Sequence, residues 1–280
     1  AISALTAMPV AGLLDPRHGA VAVVVPGSEE DAASEEICAL YYTEGDPTEG
    51  HRSQNATLFV DHKAGKFELE GVDGEHIEVS QQSDHLRLAG VTGCVVWNGA
   101  VVLARSLAAW AGSSNLLCLE GCKILELGAG TGVLAVACAL LGAKVVATEQ
   151  DERLKLLQRN VERHSQSGGG PPWSIGKRGG TVDLQELDWF SPGAPVDCDL
   201  IVATDVVYTE EVTLALVRCL SSYSSPAILS VELRTEEVHY VFIEALAAAG
   251  FTVHRLLPEM HAEDVMTRRV VTYVLTRGDR

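Results

Sequence analysis

From Gly93 onward, short apolar runs alternate with stretches whose apolar residues recur every three or four positions. This alternation constrains the fold more than any other feature, because buried parallel strands read as continuous apolar runs and the helices joining them carry one apolar stripe. The helical stretch CVVWNGAVVLARSLAAWAG precedes the strand KILEL, followed by GVLAVACALLG (helix), KVVATE (strand) and ERLKLLQRNVERH, a helix whose Leu154, Leu157 and Val161 share a face. The strands TVDLQEL, DLIVATD and AILSVEL continue the series, with helices at EEVTLALVRCLSS and EEVHYVFIEALAAAG. The last two strands, FTVHRLL and VVTYVLT, lie only about a dozen residues apart, so an antiparallel pair is more economical than another crossover. The pattern predicts an α/β, doubly wound sheet, in which ligands bind outside the carboxyl ends of the strands where the strand order reverses.

The chain before Gly93 reads differently. Residues 1–50 contain the acidic cluster SEEDAASEE and few large apolar residues, which predicts a solvated, mobile segment. The opening AISALTAMPVAGLL lacks the basic start of a signal peptide and reads as a disordered lead-in. Residues 51–92 alternate apolar and polar positions around a glycine turn in TLFVDHKAGKFELEGV and again at HIEVS, predicting a small β-unit ahead of a main domain over 93–280. The net charge of −17 argues against a protein that grips phosphate backbones and leaves basic or neutral partners. Seven cysteines without a paired CxxC spacing read as reduced core residues of a cytoplasmic or nuclear protein, with neither a disulfide frame nor a metal site; the sequon Asn55-Ala56-Thr57 is then idle. No apolar run reaches membrane-spanning length.

The stretch ILELGAGTG falls at the first strand-to-helix turn of the main domain, where Gly128 and Gly130 let a ligand approach the backbone and Gly132 lets the following helix pack closely. The spacing is not that of a dinucleotide loop, GxGxxG, since Val133 stands five residues after Gly128. Nor does the loop end in the GK[ST] of a triphosphate site. Glu126, two residues before Gly128, would repel a pyrophosphate and attract an ammonium group. The next strand ends in Glu149, about twenty residues on, where a carboxylate accepts hydrogen bonds from ribose hydroxyls. A cofactor with a ribose, an ammonium and no phosphate is required, and S-adenosylmethionine meets all three conditions.

With these residues placed, ELGAGTG and the downstream acidic strand end resemble the class I methyltransferases, whose fold is a Rossmann-like seven-strand sheet with an antiparallel last strand. Three more segments narrow the resemblance: VVWNGAVVLARSL with Trp97, LDWF with Trp189, and ATDVVYTEE, which has the Asp-x-x-Tyr signature. Together they are similar to the family-16 protein methyltransferases, the group of enzymes acting on lysines of heat-shock chaperones, the valosin-containing-protein ATPase, translation elongation factors and calmodulin. The match runs from about Gly93 to Thr276. It implies that Trp97, Gly128, Ala129, Gly130, Glu149, Trp189 and Thr204 contact S-adenosylmethionine, with Trp97 and Thr204 near its methionine end and Trp189 near the adenine. It places Asp205 and Tyr208 beside the acceptor, both on one side if the chain turns helically there.

The resemblance implies an S-adenosylmethionine-dependent N-methyltransferase that modifies a protein lysine as a monomer, without nucleic acid, membrane or metal. Transfer to arginine, histidine or a small amine, and a silent partner-binding module that keeps the fold, are the alternatives the residues leave open. Two departures from the family pattern stand out. Phe190 occupies a position where many members have glycine, and SGGGPPWSIGKRGG, over residues 167–180, reads as a flexible insertion. Trp110 and Trp173 match no motif and are expected to be structural; Arg234, at the end of VELR, resembles a residue that recurs after the family's fifth strand and is expected to lock a local carboxylate, with contact to substrate as the alternative.

Overall fold

The computed structural model describes residues 9–25, 31–41, 59–84, 92–112, 116–166 and 168–277. The sequon and much of the acidic segment lie outside them. In chain order the elements are β1 (Ala20–Val24), α1 (Ala32–Tyr41), β2 (Lys66–Val72), β3 (Glu75–Ser80), α2 (Asn98–Ala111), β4 (Lys123–Leu127), α3 (Val133–Leu140), β5 (Lys144–Glu149), α4 (Asp151–Arg163), β6 (Trp173–Ile175), β7 (Gly180–Glu186), β8 (Leu200–Thr204), α5 (Glu210–Leu220), β9 (Ala227–Glu232), α6 (Glu236–Ala248), β10 (Phe251–Leu256) and β11 (Val270–Arg277).

Nine strands form one sheet in the order β1-β10-β11-β9-β8-β4-β5-β7-β6, and β2 with β3 forms a separate antiparallel hairpin. Strand β4 is parallel to both β5 and β8, so the chain winds outward from it in both directions and a crevice opens at the carboxyl ends. Strand β11 runs antiparallel between β9 and β10. The seven strands from β10 to β7 are the expected doubly wound frame; β1 and β6 extend it by one strand at each edge.

Alternation along each strand sorts side chains to the two faces. Ile124 joins a core cluster with α2, α3, the β2–β3 hairpin and Leu157 and Val161 of α4, whereas Leu125 and Leu127 join a second cluster with α1, α5 and α6. Trp110 is buried in the first cluster and donates its indole N–H to the Met260 carbonyl at 2.6 Å, a structural role as expected.

Three segments differ from the sequence expectation. The acidic N-terminal region does not stay in solvent throughout: β1 pairs with β10, and α1 packs on α6 and β1. Its cluster hides an apolar stripe, with Ala33, Ile37 and Leu40 buried at three- and four-residue spacing, and Glu36 is buried against Arg255 and the hydroxyl of Tyr273, which donates to it at 2.8 Å. The lead-in buries Val10 and Leu13 in the core. The glycine-rich insertion is folded over most of its length: Trp173 is buried, β6 pairs antiparallel with β7, and Lys177 and Arg178 reach Glu75 and Asp73 at the hairpin turn. A bulky indole with somewhere to go outweighs the flexibility of its glycine neighbours.

Candidate active site

At the carboxyl ends of β4, β5 and β8 lies a cleft of about 830 Å³. Trp97, Gly128, Ala129, Gly130, Glu149, Trp189, Thr204, Asp205 and Tyr208 all line it, so the positions singled out in the sequence converge on one site. Sheet topology does most of this work: apart from Trp97, which stands at the start of α2, each residue sits at or beyond the carboxyl end of a strand.

The glycine loop is shaped by both backbone and neighbour. Gly128 has φ +71°, and a Cβ there would stand 3.1 Å from Cζ2 of Trp189, so the indole lies directly on the bare Cα. Gly93 comes in from the strap before α2, and a Cβ on it would stand 2.6 Å from Oε1 of Glu149. Leu157 of α4 packs on the Cα of Gly132, which is the close helix approach expected there.

Two carboxyl groups meet at this loop. Glu126 is buried on the face of β4 that carries Ile124, and its Oε2 has no hydrogen-bond partner. Loss of water, reinforced by the charge of Glu149, pushes its pKa up to about 8. An orphaned buried carboxyl oxygen on a cleft wall fits a ligand that brings a cation to it. Glu149 is also buried, which raises its pKa; one oxygen accepts the Gln150 amide at 2.7 Å, and Arg153, one turn on, approaches at 3.7 Å.

Beyond β8 the chain does not turn helically between Asp205 and Tyr208, contrary to the sequence expectation; α5 begins only at Glu210, capped by the Thr209 hydroxyl. Asp205 has a positive φ of 55° and its amide donates to Ser230 O at 2.9 Å, which turns the side chain back toward α2. There Oδ2 accepts the Gly99 amide at 2.7 Å and Oδ1 accepts the Glu232 amide at 3.2 Å. The carboxylate thus sits at the start of α2, where it also meets the positive end of the helix dipole. Burial nonetheless outweighs these donors and the Arg234 charge, and moves its pKa up to about 7.

Trp97 stands at the N-cap of α2, not within the helix, and donates its indole N–H to the Thr92 carbonyl at 3.0 Å. The guanidinium of Arg234 lies 4.4 Å from its ring centroid, and His62, from the coil before β2, packs edge-on against it at 4.5 Å. Arg234 is a distant partner of Glu232, at 3.9 Å, whose firm contacts are Arg269 at 2.9 Å and the Asn98 amide at 3.1 Å. The expected carboxylate lock is therefore made chiefly by Arg269.

Sequence reading missed Gly93, Asp188, Arg153, Val212 and the neighbours Asn98, His62 and Glu232. Only Arg153 carried a local signal, standing four residues after Glu149 at a helix start. Phe190, flagged as a departure, is half exposed at the cleft rim.

A doubly wound sheet with an antiparallel penultimate-edge strand, a glycine loop after β4 and an acidic end to β5 defines an S-adenosylmethionine-dependent methyltransferase. Residues 77–249 match the family model described as lysine methyltransferase, and the chain belongs to that family. It is 36% identical over 166 residues to the protein N-lysine methyltransferase METTL21A of Mus musculus, covering 57% of this chain and 68% of the relative. With the METTL21A of Xenopus tropicalis it shares 30% identity over 193 residues, 68% of this chain and 75% of the relative. Among solved structures, magnesium protoporphyrin IX methyltransferase (ChlM) from Synechocystis PCC 6803 with bound SAM aligns at a TM-score of 0.48 and 15% identity, covering 90% of this chain and 100% of the other.

Proposed function

We propose that this enzyme transfers a methyl group from S-adenosylmethionine to the ε-amine of a lysine on a protein partner. The observation that carries the reading is a single cleft lined both by Glu126, one of whose buried carboxyl oxygens has no partner, and by Asp205 and Tyr208. When bound, S-adenosylmethionine supplies an electrophilic methyl on a sulfonium.

The roles of the chain's residues follow from their placement. Glu126 takes the ammonium of the cofactor, Glu149 its ribose hydroxyls, and Trp189, in contact with Gly128, the adenine; Gly130 and Ala129 leave room for the backbone approach. Trp97 and Thr204 flank the methionine end. Methyl transfer is an in-line displacement, so what the enzyme must add is alignment and an amine with a free lone pair. A free lysine amine, with a pKa near 10.4, is overwhelmingly protonated at neutral pH. Asp205 is held rigid by two backbone N–H groups and keeps further lone pairs to orient the amine or relay its proton. Tyr208 walls the alkyl channel.

The net charge of −17 favours a basic partner surface over nucleic acid, and seven free cysteines support a reducing compartment, cytoplasmic or nuclear. We take the working form to be a monomer, and no helix among the described residues is long and apolar enough to cross a membrane.

The test is incubation of a cell extract with methyl-labelled S-adenosylmethionine and the enzyme, followed by separation into protein, nucleic-acid and small-molecule fractions. A discrete labelled protein band, absent with Asp205→Ala, is expected. Label in nucleic acid or small molecules, with none in protein, would overturn the reading.

A further inference from the structure

Next to Tyr208, on the acceptor side of the cleft, stands a cationic side chain with no assigned part in holding the cofactor. Arg234 lies over Trp97 at 4.4 Å, borders a small cavity with Tyr208 and Glu232, and is close enough to Asp205 for its charge to be felt there. Its side chain is about one-third exposed, and among the described residues its ion-pair contact is the long 3.9 Å approach to Glu232. Stacking on the indole, more than ion pairing, fixes the guanidinium.

The chemistry of the acceptor makes that location consequential. An aromatic face attracts an ammonium ion, and the ammonium is the form of lysine that cannot react. A bare Trp97 beside Asp205 would hold the substrate in its unreactive state. A guanidinium already on that face removes the attraction and repels a second cation.

We propose that Arg234 is an acceptor-site residue, the fixed cation that makes this channel admit the substrate lysine as a neutral amine. The inference rests on the lysine-methylation reading above. Its neighbours leave the guanidinium's charge in force. Glu232 is taken up by Arg269 and Asn98, and Asp205 by two backbone amides. His62 on the other side of Trp97 and His239 of α6 are both shifted by burial toward the neutral form. Asp61 stands beside His62 in the exposed coil before β2.

The test compares wild type, Arg234→Gln and Arg234→Lys by the initial rate of labelled-methyl incorporation into extract protein at saturating S-adenosylmethionine, from pH 6 to 9.5. Without the cation, both the substrate ammonium and protonated Asp205 hold their protons to higher pH, so the acid limb moves up. For Arg234→Gln a shift of about half to one pH unit is expected, which is roughly a three- to tenfold lower rate at pH 7 converging on wild type above pH 9. Arg234→Lys, which keeps the charge but not the planar stacking, lies between Arg234→Gln and wild type. A readout independent of turnover is the Asp205 carboxyl titration followed by carbon-13 NMR, whose midpoint rises in Arg234→Gln, while calorimetric cofactor affinity stays within about twofold. An equal loss at every pH, or an unshifted profile with an unshifted Asp205 midpoint, overturns the assignment of Arg234 alone. Absence of protein label with the wild-type enzyme would instead fail the lysine-methylation reading, and the inference with it.

Discussion

The carboxylate of Asp205 anchors the first turn of α2 by accepting the amide of Gly99 at 2.7 Å, although 106 residues separate the two. One side chain therefore joins the acceptor edge of the sheet to the helix whose N-cap is Trp97. Replacing it with asparagine puts an amide N–H₂ where a second acceptor is needed. Asp205→Asn is expected to lower stability by roughly 1–3 kcal/mol and turnover by at least about a hundredfold. Urea unfolding and the label-transfer rate, measured on the same sample, check both.

Glu126 is predicted to trade stability for cofactor affinity. Its folded pKa of about 8 lies above its ordinary value, so between about pH 4.5 and 8 the unfolded chain releases a proton that the folded one retains, and stability falls as pH rises through that window. Glu126→Gln removes this penalty. Apo protein carrying it should be more stable than wild type at pH 8, on the order of a few kcal/mol at most, with the difference disappearing near pH 4. Calorimetry should nonetheless show S-adenosylmethionine bound about ten- to a hundredfold more weakly, and in the wild type the affinity should climb with pH up to about 8.

The two close approaches at the loop make separable predictions. Gly128→Ala imposes a positive φ on alanine and drives a methyl into Trp189, so stability and cofactor binding should both fall, the former by about 1–2 kcal/mol. Gly93→Ala meets chiefly the ends of two side chains, the Glu149 carboxylate and Cδ of Arg153, and is expected to weaken the cofactor roughly tenfold with little change in thermal midpoint. Equal effects of the two on stability would contradict the geometry.

Thr209→Ala serves as a control within the same loop. Its hydroxyl accepts the Val212 amide at 3.3 Å and caps α5, so its loss should cost about 1 kcal/mol of stability. Cofactor affinity should not move.

Much of this arrangement was legible before any coordinates. The central strands from KILEL onward declare themselves as continuous apolar runs, the outer ones β7 and β10 as alternating patterns, and the glycine loop and Glu149 fall where such sheets bind ligands. Asp205 and Tyr208 were legible as site positions but not in their geometry: that Asp205 caps α2, not the next helix, depends on a pairing across 106 residues that no local pattern encodes. The helix around Ile37 was hidden because acidic neighbours masked its stripe, and β6 because glycines around Trp173 resemble a spacer. His62, Asn98 and Glu232 escaped notice for the same reason as the Asp205 contact, since they are neighbours only through tertiary packing.

The most direct test of the central claim is chemical identification of the product. Protein labelled in extract by the wild-type enzyme would be hydrolysed and its methylated amino acids separated by mass spectrometry. The structure predicts methylated lysine as the labelled residue, lost when Tyr208 or Asp205 is replaced by alanine; label on arginine or histidine, with lysine unmodified, would contradict the assignment of this cleft to lysine.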